Sequence, residues 1–270
     1  MKVLFCGDIV GRAGRDAVIK EVPRLRRELG LDFVAVNGEN AAAGFGITAK
    51  ICAELHAAGV DCITTGNHVW DQREIVPYIS QDKRLLRPVN FPPGTPGWGA
   101  NLFQTARGQK VVVINVMCRL FMDALDDPFR GVDVELAKYS LGGTANFILV
   151  DVHGEATSEK QSMGHYCDGR VSAVLGTHSH IPTADGWVLP GGTAYQTDAG
   201  ACADYDSVIG MDKAEPLQRF TRKMSSQRFS PATGPATLCG VFVQTGAKGL
   251  ATRIEPVRVG GRLIATIPEL

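Results

Sequence analysis

An excess of charge of either sign is missing from this 270-residue chain, in which 28 Lys and Arg balance 28 Asp and Glu. That balance leaves no basic tail or face for a polyanion, so a long nucleic acid is not expected as a partner. No apolar run approaches the ~20 residues needed to span a bilayer, so no membrane association is expected. The opening MKVLFCGDIVG is too short in its apolar part for a secretory signal. The seven cysteines are odd in number and no two lie within three residues of each other. This excludes a CxxC zinc ribbon or redox pair and points to reduced thiols in a cytoplasmic protein. Phosphate-loop and nucleophile motifs are missing too. GDIVGRAG spaces its glycines as GxxxGxxG rather than GxGxxG, and neither GxxxxGK[ST] nor GxSxG occurs.

What the chain does contain is an alternation of short apolar runs with helical patterns. Lys2–Cys6, Asp32–Val36 and Asp61–Thr64 read as strands. Between them lie a helix over Arg12–Leu29, bent or shortened near Pro23, and a helix capped by Thr48 that ends at Gly59. Such alternation predicts parallel βαβ units. Further strands are predicted at Val111–Met117, Phe147–Val152, Arg170–Gly176, Ala194–Thr197 and Cys239–Gln244. Gly260-Gly261, between Val257–Val259 and Leu263-Ile264, has the form of a two-residue hairpin turn. Pro88–Gly99 and Gln218–Pro235 read as loops, the second carrying Arg219, Arg222, Lys223 and Arg228 as a solvated flap. No repeat or flexible linker divides the chain, so one domain over residues 1–270 is expected.

Each strand runs into potential metal ligands. GDIVG brings Asp8; NGENAAAGFG brings Asn37, Glu39 and Asn40; TTGNHVWD brings Asn67, His68 and Asp71. VDVHGE brings Asp151, His153 and Glu155, and GTHSH brings His178 and His180. The carboxyl ends of parallel strands share an edge where ligands bind. Four of only six histidines fall in these clusters, while His56 and His165 lie on helical patterns and read as structural. Imidazole nitrogens mixed with carboxylate and amide oxygens suit iron, manganese or zinc better than magnesium or calcium. The set exceeds the needs of one tetrahedral ion and so points to two, which together can clamp a phosphate and activate a water.

In this order the blocks resemble the metallophosphoesterase (calcineurin-like phosphoesterase) superfamily, whose pattern runs D-x-H, G-D, G-N-H, H and G-H-x-H. Val10 stands where the first histidine would be, and Gly38-Glu39-Asn40 replaces the G-D block. Those departures, with NGENAAAGFGIT, GNHVWD, VDVHGEATSEK, GTHSHIPTAD and DYDSVIGMD, resemble its YmdB-like phosphodiesterase branch. The resemblance implies a four-layer α/β/β/α sandwich with two transition-metal ions, iron first and manganese or zinc next. By matching position, Asp8, Asn40 and His180 would hold one ion, Asn67, His153 and His178 the other, and Glu39 would bridge them. His68 would be left unligated as the general acid, with a metal-bridging hydroxide as the attacking group. The expected function is hydrolysis of small phosphodiesters, cyclic nucleotides (2',3' or 3',5') above all. A phosphomonoesterase, or a nucleotide-sensing or RNA-associated regulatory protein with little turnover, are the alternatives. A homo-oligomer is left open. GACADYDSVIG departs from the Met-x-Gly-Pro-like run expected before the Tyr-Asp pair.

Overall fold

The computed structural model describes residues 1–269. β1 (Lys2–Cys6) continues through β2 (Asp8–Ile9) into α1 (Gly11–Leu29). β3 (Phe33–Asn37), α2 (Ala49–Ala57) and β4 (Cys62–Thr64) follow. The short α3 (Ile75–Tyr78) and β5 (Ala100–Gln104) lead to β6 (Lys110–Met117), α4 (Pro128–Leu136), β7 (Phe147–His153), α5 (Thr157–Tyr166) and β8 (Ala173–Thr177). The remainder holds β9 (Trp187–Val188), β10 (Ala194–Gln196), β11 (Ala201–Asp204), α6 (Ala214–Arg222), β12 (Ala236–Thr245) and β13 (Ala251–Gly260).

Two sheets form. The first runs β2-β11-β12-β1-β3-β4, with β13 on the other edge of β12; the second runs β5-β6-β7-β8-β10-β9. In the second sheet β6, β7, β8 and β10 are parallel, and β5 and β9 pair antiparallel at the two ends.

Strand alternation explains the layering, because successive side chains point to opposite faces. Val3, Phe5, Phe33 and Ala35 from the first sheet pack with Val111, Val113, Phe147 and Leu149 from the second. The alternate residues Leu4, Cys6, Val34 and Val36 pack on Val18, Val22 and Leu25 of α1. Val112, Ile114, Ile148 and Val150 likewise pack on Val132 of α4 and Met163 of α5. Both sheets are therefore buried on both faces, and the result is the four-layer α/β/β/α sandwich. Among the described residues no helix is long and apolar enough to cross a membrane.

Local signals account for the helix ends. Thr48 caps α2 by accepting from the Ile51 N–H, as its position before an apolar stripe predicts. Gly30, at φ 62°, closes α1 in the left-handed conformation. Pro23 does not shorten α1, because Val18, Val22, Leu25 and Leu29 on its buried face hold the turns on either side.

Two expectations are corrected. The predicted hairpin between Val257–Val259 and Leu263-Ile264 does not form. β13 pairs instead with β12 over Thr237–Thr245, and after Gly260-Gly261 the chain returns only as a single bridge from Arg258 to Thr266. The two glycines do adopt positive φ, but the partner that buries Val257 is a strand upstream. The segment Gln218–Pro235 is not wholly loop, since α6 extends through Arg222.

Candidate metal centre

The two sheets deliver the candidate ligands from separate strands to one place. Asp8 follows β1, Glu39 and Asn40 follow β3, and Asn67 and His68 follow β4, all in the first sheet. His153 ends β7, and His178 and His180 follow β8 in the second. Asp8, Glu39 and His153 are fully buried.

His153 Nε2 lies 2.9 Å from Asn67 Oδ1 and 3.2 Å from Glu39 Oε1. Its ring centroid is 4.9 Å from that of His178, and potential donor atoms of Glu39, His153 and His178 lie within 4.8 Å of one another. On the other flank, Asn40 Nδ2 is 3.1 Å from His180 Nε2 and 3.2 Å from Glu39 Oε1. Asp8 Oδ1 sits 3.9 Å from His180 Nε2 and 4.0 Å from His153 Nδ1. Glu39 thus touches both flanks. Gly66 makes this approach possible, since a Cβ there would lie 2.2 Å from His153 Nε2 and 2.3 Å from Glu39 Oε2.

The electrostatics are those of a crowded buried cluster. Burial raises Asp8 above the usual carboxylate range, although His180 and His153 pull the other way. Burial also opposes ionisation of Glu39, but His153 and His68 outweigh it and hold the carboxyl low. His153 is the counterpart: burial would lower it, and Glu39, Asp8 and Asp151 draw it up. His178 is lowered to about 3, by burial first and then by His153.

One atom tests whether this set fits a metal. Asp8 Oδ1 is buried and has no hydrogen-bond partner among the described residues. Such an oxygen is costly to bury without a donor or a cation beside it. Two imidazoles lie about it at 3.9 and 4.0 Å, and these in turn meet Glu39, Asn40 and Asn67, a donor chemistry that fits divalent transition metals.

Outer contacts aim these side chains. Thr177 Oγ1 lies 2.9 Å from His153 Nδ1 and donates to Asp151 Oδ1 at 2.7 Å, which leaves Nε2 facing the cluster. Burial pushes Asp151 up to about 7. His180 Nδ1 lies 2.7 Å from the Ile209 carbonyl, and the Tyr205 hydroxyl donates to the His180 carbonyl at 3.2 Å. The unusual 200–210 stretch therefore orients His180. The backbone of His178 (φ 98°) and His180 (φ 65°) is left-handed, a strained arrangement for residues with a Cβ. It is held by Asp8 Oδ2, which accepts from the His178 N–H, and by Asp198 Oδ2, which accepts from the Ser179 N–H. Val10, where the superfamily pattern has a histidine, packs with Ala201, Ala203 and Met211.

His68 stands at the edge of the cluster. Its N–H donates to Glu39 Oε2, its Nδ1 lies 2.7 Å from Asp71 Oδ2, and its ring meets Phe45 edge-on. It lines a cavity of about 420 Å³ together with Glu39, Asn40, His178 and His180.

Several contributors were not legible in the sequence. Lys160, buried on α5, bonds the Thr177 carbonyl at 2.7 Å and Asp198 Oδ2 at 2.9 Å beneath the HxH turn. Glu155, which the VDVHGE block did offer, has Oε2 3.2 Å from His178 Nε2, a pairing the sequence does not show. Phe45, Phe220 and Phe229 join the cavity wall. A charged residue opening or interrupting a helix gives no local sign of such roles.

The chain is similar to known proteins over nearly its whole length. A family model described as YmdB-like protein matches residues 4–257. The chain is 46% identical over 243 residues to a Bacillus subtilis (strain 168) protein named 2',3'-cyclic-nucleotide 2'-phosphodiesterase, covering 90% of each. A crystal structure of a hypothetical protein from Thermus thermophilus superposes with TM-score 0.90 at 41% identity, over 97% of this chain and 100% of that one. A structure described as a novel phosphatase from Mycoplasma pneumoniae superposes with TM-score 0.87 at 31% identity, over 96% and 93%.

Proposed function

The chain belongs to the YmdB-like family, a branch of the metallophosphoesterases, and on that premise we propose that it hydrolyses cyclic nucleotides as a metal-dependent phosphodiesterase. The observation that carries the reading is the orphaned Asp8 Oδ1 amid donors from five strand ends, at a cavity of substrate size. The name of the Bacillus relative supports a 2',3'-cyclic substrate.

Asp8, Asn40 and His180 would hold one ion and Asn67, His153 and His178 the other, with Glu39 shared between them. Iron is the first choice, with manganese and zinc next. Bound there, the ions supply positive charge to the phosphate and an activated water. The residues do the rest. Gly66 keeps the backbone low enough for Glu39 and His153 to meet, and Thr177 and Asp151 fix the His153 ring. His68 donates a proton from Nε2 to the departing ribose oxygen, while Asp71 holds Nδ1 and orients the ring.

The cavity favours a diester over a monoester. None of its lining residues is Lys or Arg, and much of the lining is apolar. A diester carries a single negative charge and a bulky organic part, which suits such walls better than a doubly charged monoester.

The test is elemental analysis of the purified protein together with a panel of cyclic nucleotides and nucleoside monophosphates. The expected result is close to two transition-metal ions per chain, hydrolysis of the cyclic diesters, and lower metal content in Glu39→Gln, whose loss removes the shared anion. Turnover confined to monoesters would replace the reading with a phosphomonoesterase. Stoichiometric nucleotide binding without product would replace it with a sensing role.

A further inference from the structure

Apart from its ligand cluster, the cavity is lined largely by Phe45, Val208, Ile209, Met211, Phe220 and Phe229. Two of these rings come from the 214–229 segment, and a single buried carboxylate organises that segment. Glu215 accepts from Arg219 Nε at 2.7 Å, from the Ser226 hydroxyl at 2.6 Å, and from the Ser226 and Gln227 N–H groups. Arg219 then donates to the Gln227 carbonyl at 3.0 Å and lays its guanidinium 4.0 Å over the Phe229 ring. Phe229 is thereby fixed. Phe220 is 72% exposed although it lines the cavity. A large ring left in water at the mouth of a binding cavity marks a contact site.

We infer that this aromatic wall is a nucleobase subsite, in which Phe220 and Phe229 hold the base by stacking and no side chain of the wall reads its edge. These six apolar residues offer no strong side-chain hydrogen-bond donor or acceptor, so the wall distinguishes bases by stacking area alone. The ligand class is therefore the nucleoside cyclic phosphates as a group, with purines bound more tightly than pyrimidines. Arg219, a basic residue of the same segment, serves the wall rather than the phosphate.

The inference rests on the phosphodiesterase reading, and the test separates the two. Adenosine and cytidine 2',3'-cyclic phosphates and the base-free methyl riboside 2',3'-cyclic phosphate are assayed with wild type, Phe220→Ala and Phe220→Trp. In the wild type, kcat/KM for the adenosine substrate should exceed that for the base-free one by about tenfold or more. Phe220→Ala should bring that ratio toward one through KM rather than kcat, and Phe220→Trp should preserve it. Calorimetric binding of adenosine 3'-monophosphate, the monoester left when the 2' bond breaks, against the base-free methyl riboside 3-phosphate reads the same ratio without turnover. A ratio that Phe220→Ala leaves unchanged in both measurements overturns the subsite. Hydrolysis of none of the diesters by wild type overturns the activity, and the binding ratio then decides the subsite alone.

Discussion

His68 follows Asn67 directly, yet the two side chains have different partners. Asn67 Oδ1 meets His153, whereas the His68 ring turns to Asp71 and Phe45. Nδ1 is held by Asp71 on a ring that lines the cavity, so under the proposed mechanism Nε2 is the atom that carries the proton. A ribose hydroxyl leaves poorly as an alkoxide, and a positioned acid contributes roughly 10²–10⁴-fold. His68→Ala should therefore retain its metal, lose about that factor on a cyclic nucleotide, and lose much less on bis-nitrophenyl phosphate, whose leaving group needs no proton. Metal content and the two rates, measured on the one variant, check this; an equal loss on both substrates would remove the acid role.

At the scale of elements, the turn after β8 depends on α5. Lys160 is 1% exposed and bonds both the Thr177 carbonyl and Asp198, and Asp198 in turn accepts the Ser179 N–H and the Gly200 N–H. The left-handed backbone at His178 and His180 persists because these contacts over-determine it. Lys160→Met would leave the Asp198 carboxylate buried without its cation. Removing one partner of a buried pair costs about 3–5 kcal/mol. Thermal unfolding should therefore begin several degrees lower, and metal content should fall with it, although Lys160 is not a ligand. Full metal occupancy in a destabilised Lys160→Met would show that the turn keeps its shape without the pair.

For the whole molecule, the relevant fact is that both sheets are covered on both faces and every thiol lies in the interior. All seven cysteines are free and buried. Burial pushes the Cys118, Cys167 and Cys239 thiols up to about 12, so they are poor nucleophiles at neutral pH. A structural disulfide contributes about 2–5 kcal/mol, which is several degrees of Tm in a chain of this size. Melting with and without reductant should coincide; a clear drop on reduction would mean that a disulfide supports the fold.

The sequence alone determined the pieces. Runs such as Val111–Met117 are apolar on both alternating faces apart from Asn115, the pattern of a strand buried on both sides, and polar residues at the ends of such strands gather where the ends gather. Thr48 and Gly59 announced the two ends of α2 because capping is a local hydrogen-bonding matter. Only the tertiary structure decided how the pieces meet. Nothing in the residues around Gly260-Gly261 says that β13 pairs back to β12, since pairing depends on which strand is free when the sheet assembles. Likewise Ile209 and Glu215 carry no mark of their roles in the sequence. One orients His180 through a backbone carbonyl, which every residue possesses, and the other organises an aromatic wall that exists only once α6 folds over the cavity. The candidate ligands were legible because metal chemistry demands particular side chains; their supports were not, because hydrogen bonds and packing accept many.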